Sequence, residues 1–385
     1  MATTPPAGSS GSTVAGRTWW YRAAMPTERI LAGASAPPEA RNPRAGRFLR
    51  AARGKPVDCT PIWMMRQAGR SLPRYRELRQ RHNLLAIAAN PELCAEVTLM
   101  PLEVLDVDAA IMFADIMLPL AGLGIEFELV EDVGPRVADP IRSMDQITRM
   151  PAPSAVDSVP RTLEAMRLVR RELDGVVPLI GFSGAPFTLA SYLVEGGPTR
   201  EFAKTKALMF GHTAAWHALM ERLTEMVVDY LSAQVAAGVQ AVQLFDSWIG
   251  ALALRDVEEY VLPYTRQILD GIAHLGVPRI LFGTNTTLLL EAFSSLGPEV
   301  VGVDWRIPLD DAWKRLGPGR AIQGNLDPGV LLGPPELVAA RTKDVLARAG
   351  GRPGHIFNLG HGVLPDTPVD NLKRLVDLVH TSIAA

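Results

Sequence analysis

The sequence predicts an α/β protein built as a single (β/α)8 TIM-type barrel, with extra N-terminal helices and a disordered N-terminal extension. Three observations carry that expectation. Apolar runs of strand length recur eight times between Pro61 and Leu359. The segments between them are helical in pattern and long enough for the crossovers that parallel pairing needs. Polar residues follow the carboxyl end of every run, which is where a barrel places its chemistry. A length of 385 residues also suits two doubly wound domains of four strands each. That alternative is weakened because no run leads into a G-x-G-x-x-G phosphate turn.

Residues 1–43 stand apart from the rest. Ala, Pro, Ser, Thr and Gly dominate, with Arg17, Arg22, Arg29 and Arg41 set against Glu28 and Glu39. Such a stretch buries too little apolar surface to offset its ordering entropy, so a disordered extension is expected, with residues 44–385 as the catalytic barrel. It lacks the apolar core of a secretory signal. An Arg-rich organelle transit peptide fits less well because of Trp19-Trp20-Tyr21, and a translation start at Met25 would also account for the stretch.

Regular patterning begins at Arg44. A helix is expected over Arg44–Arg53, with Phe48, Leu49 and Ala52 on one face, and the first strand over Pro61–Met65. Helices follow around Pro73–Arg81 and Pro91–Leu105, the latter opening on a proline whose missing N–H is harmless in a first turn. Ala109–Phe113 is the second expected strand, and the alternation over Ile125–Val137 predicts an accessory hairpin. A helix over Pro160–Leu173 precedes the third strand, Pro178–Phe182, and two long helices fill Thr199–Ala237. Strand and helix then alternate: Ala241–Phe245, Val257–Leu275, Arg279–Phe282, Thr287–Ser295, Val300–Val303 and Leu309–Leu316. Ala321–Gln323, Pro335–Ala349, His355–Leu359 and Pro368–Ile383 complete the series.

Composition narrows the function. Apolar residues make up 48% and charged residues 21%, as in a globular core protein. A net charge of −2 gives no support to nucleic-acid binding. No run approaches the ~18 apolar residues of a membrane span. The two cysteines, Cys59 and Cys94, argue against a disulfide framework and fit a reducing, cytoplasmic setting.

The strand ends hold the candidate site. After the first run stand Arg66 and Arg70, flanking Gln67, Ala68 and Gly69. Two guanidiniums side by side are costly to bury without anions, and their planar forks suit carboxylate or phosphate. The reading is an anion clamp at the mouth of a site; a solvated basic loop is the plain alternative. Asp115 is a lone carboxylate in apolar company between Phe113-Ala114 and Ile116-Met117. It reads as functional, with a helix cap as the alternative. His361 lies between glycines and is expected to face a cleft. Tyr192 and Ser247 fit either a site or a hydroxyl bonded to backbone. Asp304, Arg306 and Asp327 read as rim salt bridges or caps, and Arg74, Arg76, Arg79 and Arg81 as a solvated helix face. No cysteine stands near a histidine at ligand spacing, and H-E-x-x-H, G-x-S-x-G and Walker patterns are missing. The expected site therefore works without metal or cofactor.

Several longer motifs point one way. Arg66-Gln-Ala-Gly-Arg70, Phe113-Ala-Asp-Ile116, Gly184-Ala-Pro-Phe-Thr-Leu-Ala-Ser-Tyr192 and Glu195-Gly-Gly197 resemble the uroporphyrinogen decarboxylase family. So do Phe245-Asp-Ser-Trp248, Asp304-Trp-Arg306, Gln323-Gly-Asn-Leu-Asp-Pro328 and Phe357-Asn-Leu-Gly-His-Gly362. The resemblance runs from about Arg44 to the C-terminus. It implies a cofactor-free, homodimeric barrel that removes CO2 from the four acetate arms of uroporphyrinogen III to give coproporphyrinogen III in haem and tetrapyrrole biosynthesis. It also implies substrate contacts at Arg66, Gln67, Ala68, Gly69, Arg70, Asp115, Tyr192, Ser247 and His361, with Asp115, Arg66 and Arg70 catalytic. Ser71, Arg74 and Thr284-Asn285-Thr286 depart from the family pattern and bear on contacts at the substrate's edge. Two rival classes are a cobalamin-linked methyltransferase, which would need a zinc site, and a catalytically silent small-molecule-binding barrel.

Overall fold

The computed structural model describes residues 42–130 and 133–382, all within one compact unit. The extension expected over residues 1–43 lies outside the described residues up to Arg41. Asn42 is the N-cap of the first helix, Pro43–Ala52, its side chain accepting from Arg44 N–H, so regular structure starts one residue earlier than the pattern suggested.

The strands are β1 (Ala110–Ile111), β2 (Phe127–Val130), β3 (Gly134–Val137), β4 (Leu179–Gly184), β5 (Ala241–Asp246), β6 (Arg279–Gly283), β7 (Val300–Gly302), β8 (Ala321–Gln323) and β9 (His355–Ile356). Seven of them form one curled parallel sheet in the order β1-β4-β5-β6-β7-β8-β9. β2 and β3 form the expected antiparallel hairpin beside it.

The expected first strand, Pro61–Met65, does not join the ladder. It makes one parallel bridge, Ile62 to Phe357, with Phe357 N–H donating to Pro61 O at 2.8 Å. Toward β1 the pairing passes largely through side chains. Asp108 N–H reaches Ile62 O at 2.7 Å, but Ile62 N–H donates to the Asp108 carboxylate at 2.8 Å. Gln67 Oε1 accepts from Met64 N–H at 3.0 Å, and its Nε2 donates to Ala109 O at 3.0 Å. An interposed side chain holds two backbones farther apart than the ~4.8 Å of a ladder. The parallel sheet therefore has seven strands where eight were expected.

Helices Pro91–Leu105, Leu309–Leu316 and Pro335–Ala349 lie where the sequence pattern placed them. The stretch Val257–Leu275 instead breaks into Leu254–Tyr260, Leu262–Ile272 and a short 3₁₀ turn. Pro263 stands at the break, where it cannot donate to the preceding turn. Helix Pro186–Glu195 was not anticipated, although proline at its first position is a start signal.

The sheet encloses one apolar cluster and the outer helices cover another. Phe48, Ala51 and Ala52 of the first helix pack with Ile180, Ala241, Ile280, Val300, Ala321 and Ile356, which lie at or near the starts of their strands. That helix thus fills the amino end of the sheet. Above it, Trp63 Nε1 donates to Gln323 Oε1 at 3.0 Å, and Gln323 Nε2 to Gln243 Oε1 at 3.0 Å. This buried chain leaves no polar group of the three side chains idle where water is excluded.

Candidate active site

The loop after Met65 turns sharply. Arg66 has φ +60°, a left-handed conformation that disfavours any side chain with a Cβ. Two glycines make the turn feasible. A Cβ on Gly69 would lie 2.8 Å from Arg66 O, and one on Gly362 would lie 2.4 Å from Arg66 Cδ. The segment after β9 thus lets the Arg66 side chain pass across its backbone. His361, beside Gly362, is one of the groups the Arg66 charge acts on.

Asp115 follows β1 and is half-buried. Its Oδ1 accepts from Met117 N–H at 2.9 Å, so it also starts the turn into Leu118–Leu123. Its Oδ2 has no hydrogen-bond partner among the described residues and is not sealed from solvent. Burial pushes its pKa up, opposed by the Met117 N–H and by the Arg66 charge. One oxygen thus caps a turn, as the plain alternative had it, and the other is open.

Tyr192, on helix Pro186–Glu195, has its phenol pushed up to about 12 by burial and by Asp115, opposed by the neighbouring Trp248 and the Arg66 charge. The Tyr192 and Trp248 rings meet edge-on with centroids 5.9 Å apart. His361 is pushed down to about 4 by burial and by Arg66 and Arg306, so it is neutral at pH 7. Arg66, Asp115, Tyr192 and His361 therefore share one electrostatic neighbourhood, and its permanent cation is an arginine rather than an imidazolium.

The other predicted residues divide. Arg70 is exposed and lines a cavity of about 490 Å³ with Arg76, Asp366 and Thr367. It is not among the charges acting on Asp115, Tyr192 or His361. Gln67 is fully buried and its amide braces the wall, as described above. The Gln67 side chain is thus tied into the fold, with its amide joining Met64 to Ala109. Ala68 packs against the apolar core, and Gly69 serves the turn. Ser247 is half-buried, and its carbonyl accepts from Thr284 Oγ1 at 2.5 Å. The unusual Thr284-Asn285 loop is thereby tied to the site, with Asn285 N–H donating to Asp304 Oδ2 at 2.6 Å.

Asp304 pairs with Arg306 at 2.8 Å, and Asp327 caps the turn Pro328–Leu332, so both play the rim roles expected of them. Arg74 is exposed, as expected of a solvated helix face, and also bonds Glu96 and Glu103 of helix Pro91–Leu105. Sequence reasoning gave no role to Thr188, Asp246 or Trp248, though the Asp246-Ser247-Trp248 run at a strand end was a usable signal. Among the described residues no cluster of three or more His, Cys, Asp or Glu could hold a metal ion. No described helix is long and apolar enough to cross a membrane.

A family model described as "Uroporphyrinogen decarboxylase (URO-D)" matches residues 43–382. This chain belongs to the uroporphyrinogen decarboxylase family. The uroporphyrinogen decarboxylase of Sorangium cellulosum is 54% identical over 335 residues, covering 87% of this chain and 96% of that protein. That of Chloroflexus aurantiacus is 53% identical over 339 residues, covering 87% and 95%. Among solved structures, a methyltransferase from Methanosarcina mazei matches with a TM-score of 0.74 at 21% identity, covering 87% of this chain and 97% of that one. At that identity the likeness speaks for the fold alone. The stretch matched by the uroporphyrinogen decarboxylase model starts at Pro43, where the first helix also starts.

Proposed function

We propose that this chain is a uroporphyrinogen decarboxylase, a carboxy-lyase converting the four acetate arms of uroporphyrinogen III to methyl groups and yielding coproporphyrinogen III. Relatives of that name at 53–54% identity over most of the chain support the activity. The observation that supports a site at Asp115 is its carboxylate, fixed through Oδ1 by Met117 N–H with Oδ2 open beside Arg66 and Tyr192.

Breaking a C–CO2 bond leaves an electron pair that needs a sink. A pyrrole protonated on its ring carbon supplies one: the pair flows into the ring as CO2 departs. The exocyclic methylene then takes a proton, and the ring carbon loses the one it gained. Pyrrole N–H groups directed at Asp115 Oδ2 would offset the burial cost of its charge, and the anion would favour the cationic ring. Arg66 would orient a substrate carboxylate, with Arg70 and Arg76 nearer the substrate's edge. Tyr192, Ser247 and His361 would line the pocket, and neutral His361 could donate one hydrogen bond without adding charge. The backbone of Gln67, Ala68 and Gly69 would form the floor of the clamp.

Three further readings accompany this one. Pro61–Met65 acts as an eighth stave, closing the curled sheet into a barrel of residues 44–385 through its bridge to Phe357 and its side-chain links to β1. The enzyme is a cytoplasmic homodimer, in keeping with large apolar side chains left exposed at Phe210, Leu254, Leu288 and Leu332. It works without a cofactor.

The test is anaerobic incubation with uroporphyrinogen III, followed by oxidation and chromatography of the porphyrins. Coproporphyrin formed without added metal or cofactor is the expected result. Turnover only with zinc and a methyl donor, or none at all, would contradict it.

A further inference from the structure

We infer that Asp246 and Thr188 are positioning residues that staple the Trp248–Tyr192 wall in place. The inference rests on the decarboxylase reading above and adds two residues to it. Asp246 ends β5 and is 1% exposed. Its Oδ1 accepts from Thr188 Oγ1 at 2.7 Å, while its Oδ2 is buried with no hydrogen-bond partner among the described residues. Such a carboxyl is an expensive way to fill an interior position. Burial accordingly pushes it up to about 7, so much of it is neutral near physiological pH.

The geometry says what the carboxyl provides. A threonine hydroxyl has one proton to give and lone pairs to accept with. With that proton directed to Asp246, the lone pairs of Thr188 Oγ1 face Trp248 N–H, which donates to it at 3.2 Å. The turn after β5, which carries Ser247 and Trp248, is thereby fixed to helix Pro186–Glu195. Four residues further along that helix, on the same face, stands Tyr192. Its ring meets the Trp248 indole edge-on. The Phe202 ring lies 5.6 Å from that indole. Turn and helix therefore meet at two points, the Thr188 hydroxyl on the Trp248 backbone and the Tyr192 ring against its indole. Asp246 fixes the rotor of the first.

The experiment compares Thr188→Val, which keeps the shape and removes the hydroxyl, with Thr188→Ser, which keeps the hydroxyl. The readouts are kcat per folded molecule, KM, and the partially decarboxylated porphyrins released. Thr188→Val should lower kcat by roughly tenfold with KM within about threefold, the scale of one lost hydrogen bond in the transition state. It should also release intermediates that the wild type carries through to product. Thr188→Ser should stay within about twofold of wild type. Thr188→Ala removes the same hydroxyl with less bulk, and should reproduce the valine signature even if Thr188→Val does not fold. Wild-type kcat and product spectrum in a folded Thr188→Val or Thr188→Ala would overturn the inference. Lack of decarboxylation by the wild-type chain would instead sink the reading on which it rests.

Discussion

Two aspartates flank β1, one at each end, and they are used in opposite ways. Asp108 is fully buried and both of its oxygens are engaged. Oδ1 accepts from Arg47 at 2.6 Å; Oδ2 accepts from Ile62 N–H at 2.8 Å and lies 2.7 Å from His380 Nε2. It ties the first helix, the last helix and the Pro61–Met65 segment together at the amino end. Asp115 is held by one donor, Met117 N–H, and keeps its other oxygen open at the carboxyl end. The difference teaches how to tell a structural carboxylate from a functional one: count the lone pairs already spoken for. A saturated carboxylate stabilises the fold, whereas a half-saturated one in a cleft has capacity left for a ligand.

The largest expected effect on stability falls on the saturated partner. Asp108→Ala would leave the Arg47 guanidinium, 12% exposed, without its buried anion, although Asp58 still holds it from outside. Breaking a buried pair in this way costs about 3–5 kcal/mol. Chemical denaturation should register that loss, with kcat per folded molecule within about threefold of wild type. A stable Asp108→Ala protein with impaired turnover would invert the comparison.

Arginine substitutions sharpen it on the functional side. Arg66→Lys keeps the charge but loses the planar fork beside Asp115, and kcat/KM should fall about ten- to a hundredfold. Arg70→Lys, at the neighbouring cavity with Arg76 and Asp366, should cost less. Equal losses from the two variants would mean that both guanidiniums grip the same substrate group.

Most of this architecture was legible because its signals are local. Asn90 and Pro91 announce one helix, Pro335 another, and the Leu309–Leu316 face repeats at helical spacing. Asp115 stood out as a carboxylate among apolar residues, and Asp327 as a cap. What escaped notice depends on contacts between distant residues. Thr188 meets Asp246 across 58 positions, and Trp63 meets Gln323 across 260, so no window of sequence contains either pair. The same holds for the Pro61–Met65 segment, whose apolar pattern is correct but whose partners toward β1 are largely the side chains of Asp108 and Gln67. Gln67 read as part of the clamp because it stands between two arginines; only the fold shows its amide turned into the wall.

The smallest expected effect lies outside the described residues. Removing residues 1–41 should leave turnover and melting temperature nearly unchanged, because the first helix carries its own N-cap at Asn42. A marked drop in either would assign the extension a role in folding or assembly.

The central claim is that Asp115 acts by its charge. Because burial raises its pKa above the ordinary 3.8, the acid limb of kcat/KM should lie above that value and disappear in Asp115→Asn. The most direct measurement pairs turnover with binding in that variant. Asparagine keeps the size and the acceptor for Met117 N–H but removes the anion proposed to face the pyrrole N–H groups. Under anaerobic conditions kcat should fall about a hundred- to a thousandfold, while coproporphyrinogen binding, still aided by Arg66 and Arg70, weakens by less than about tenfold. An Asp115→Asn enzyme turning over within about threefold of wild type would contradict the account.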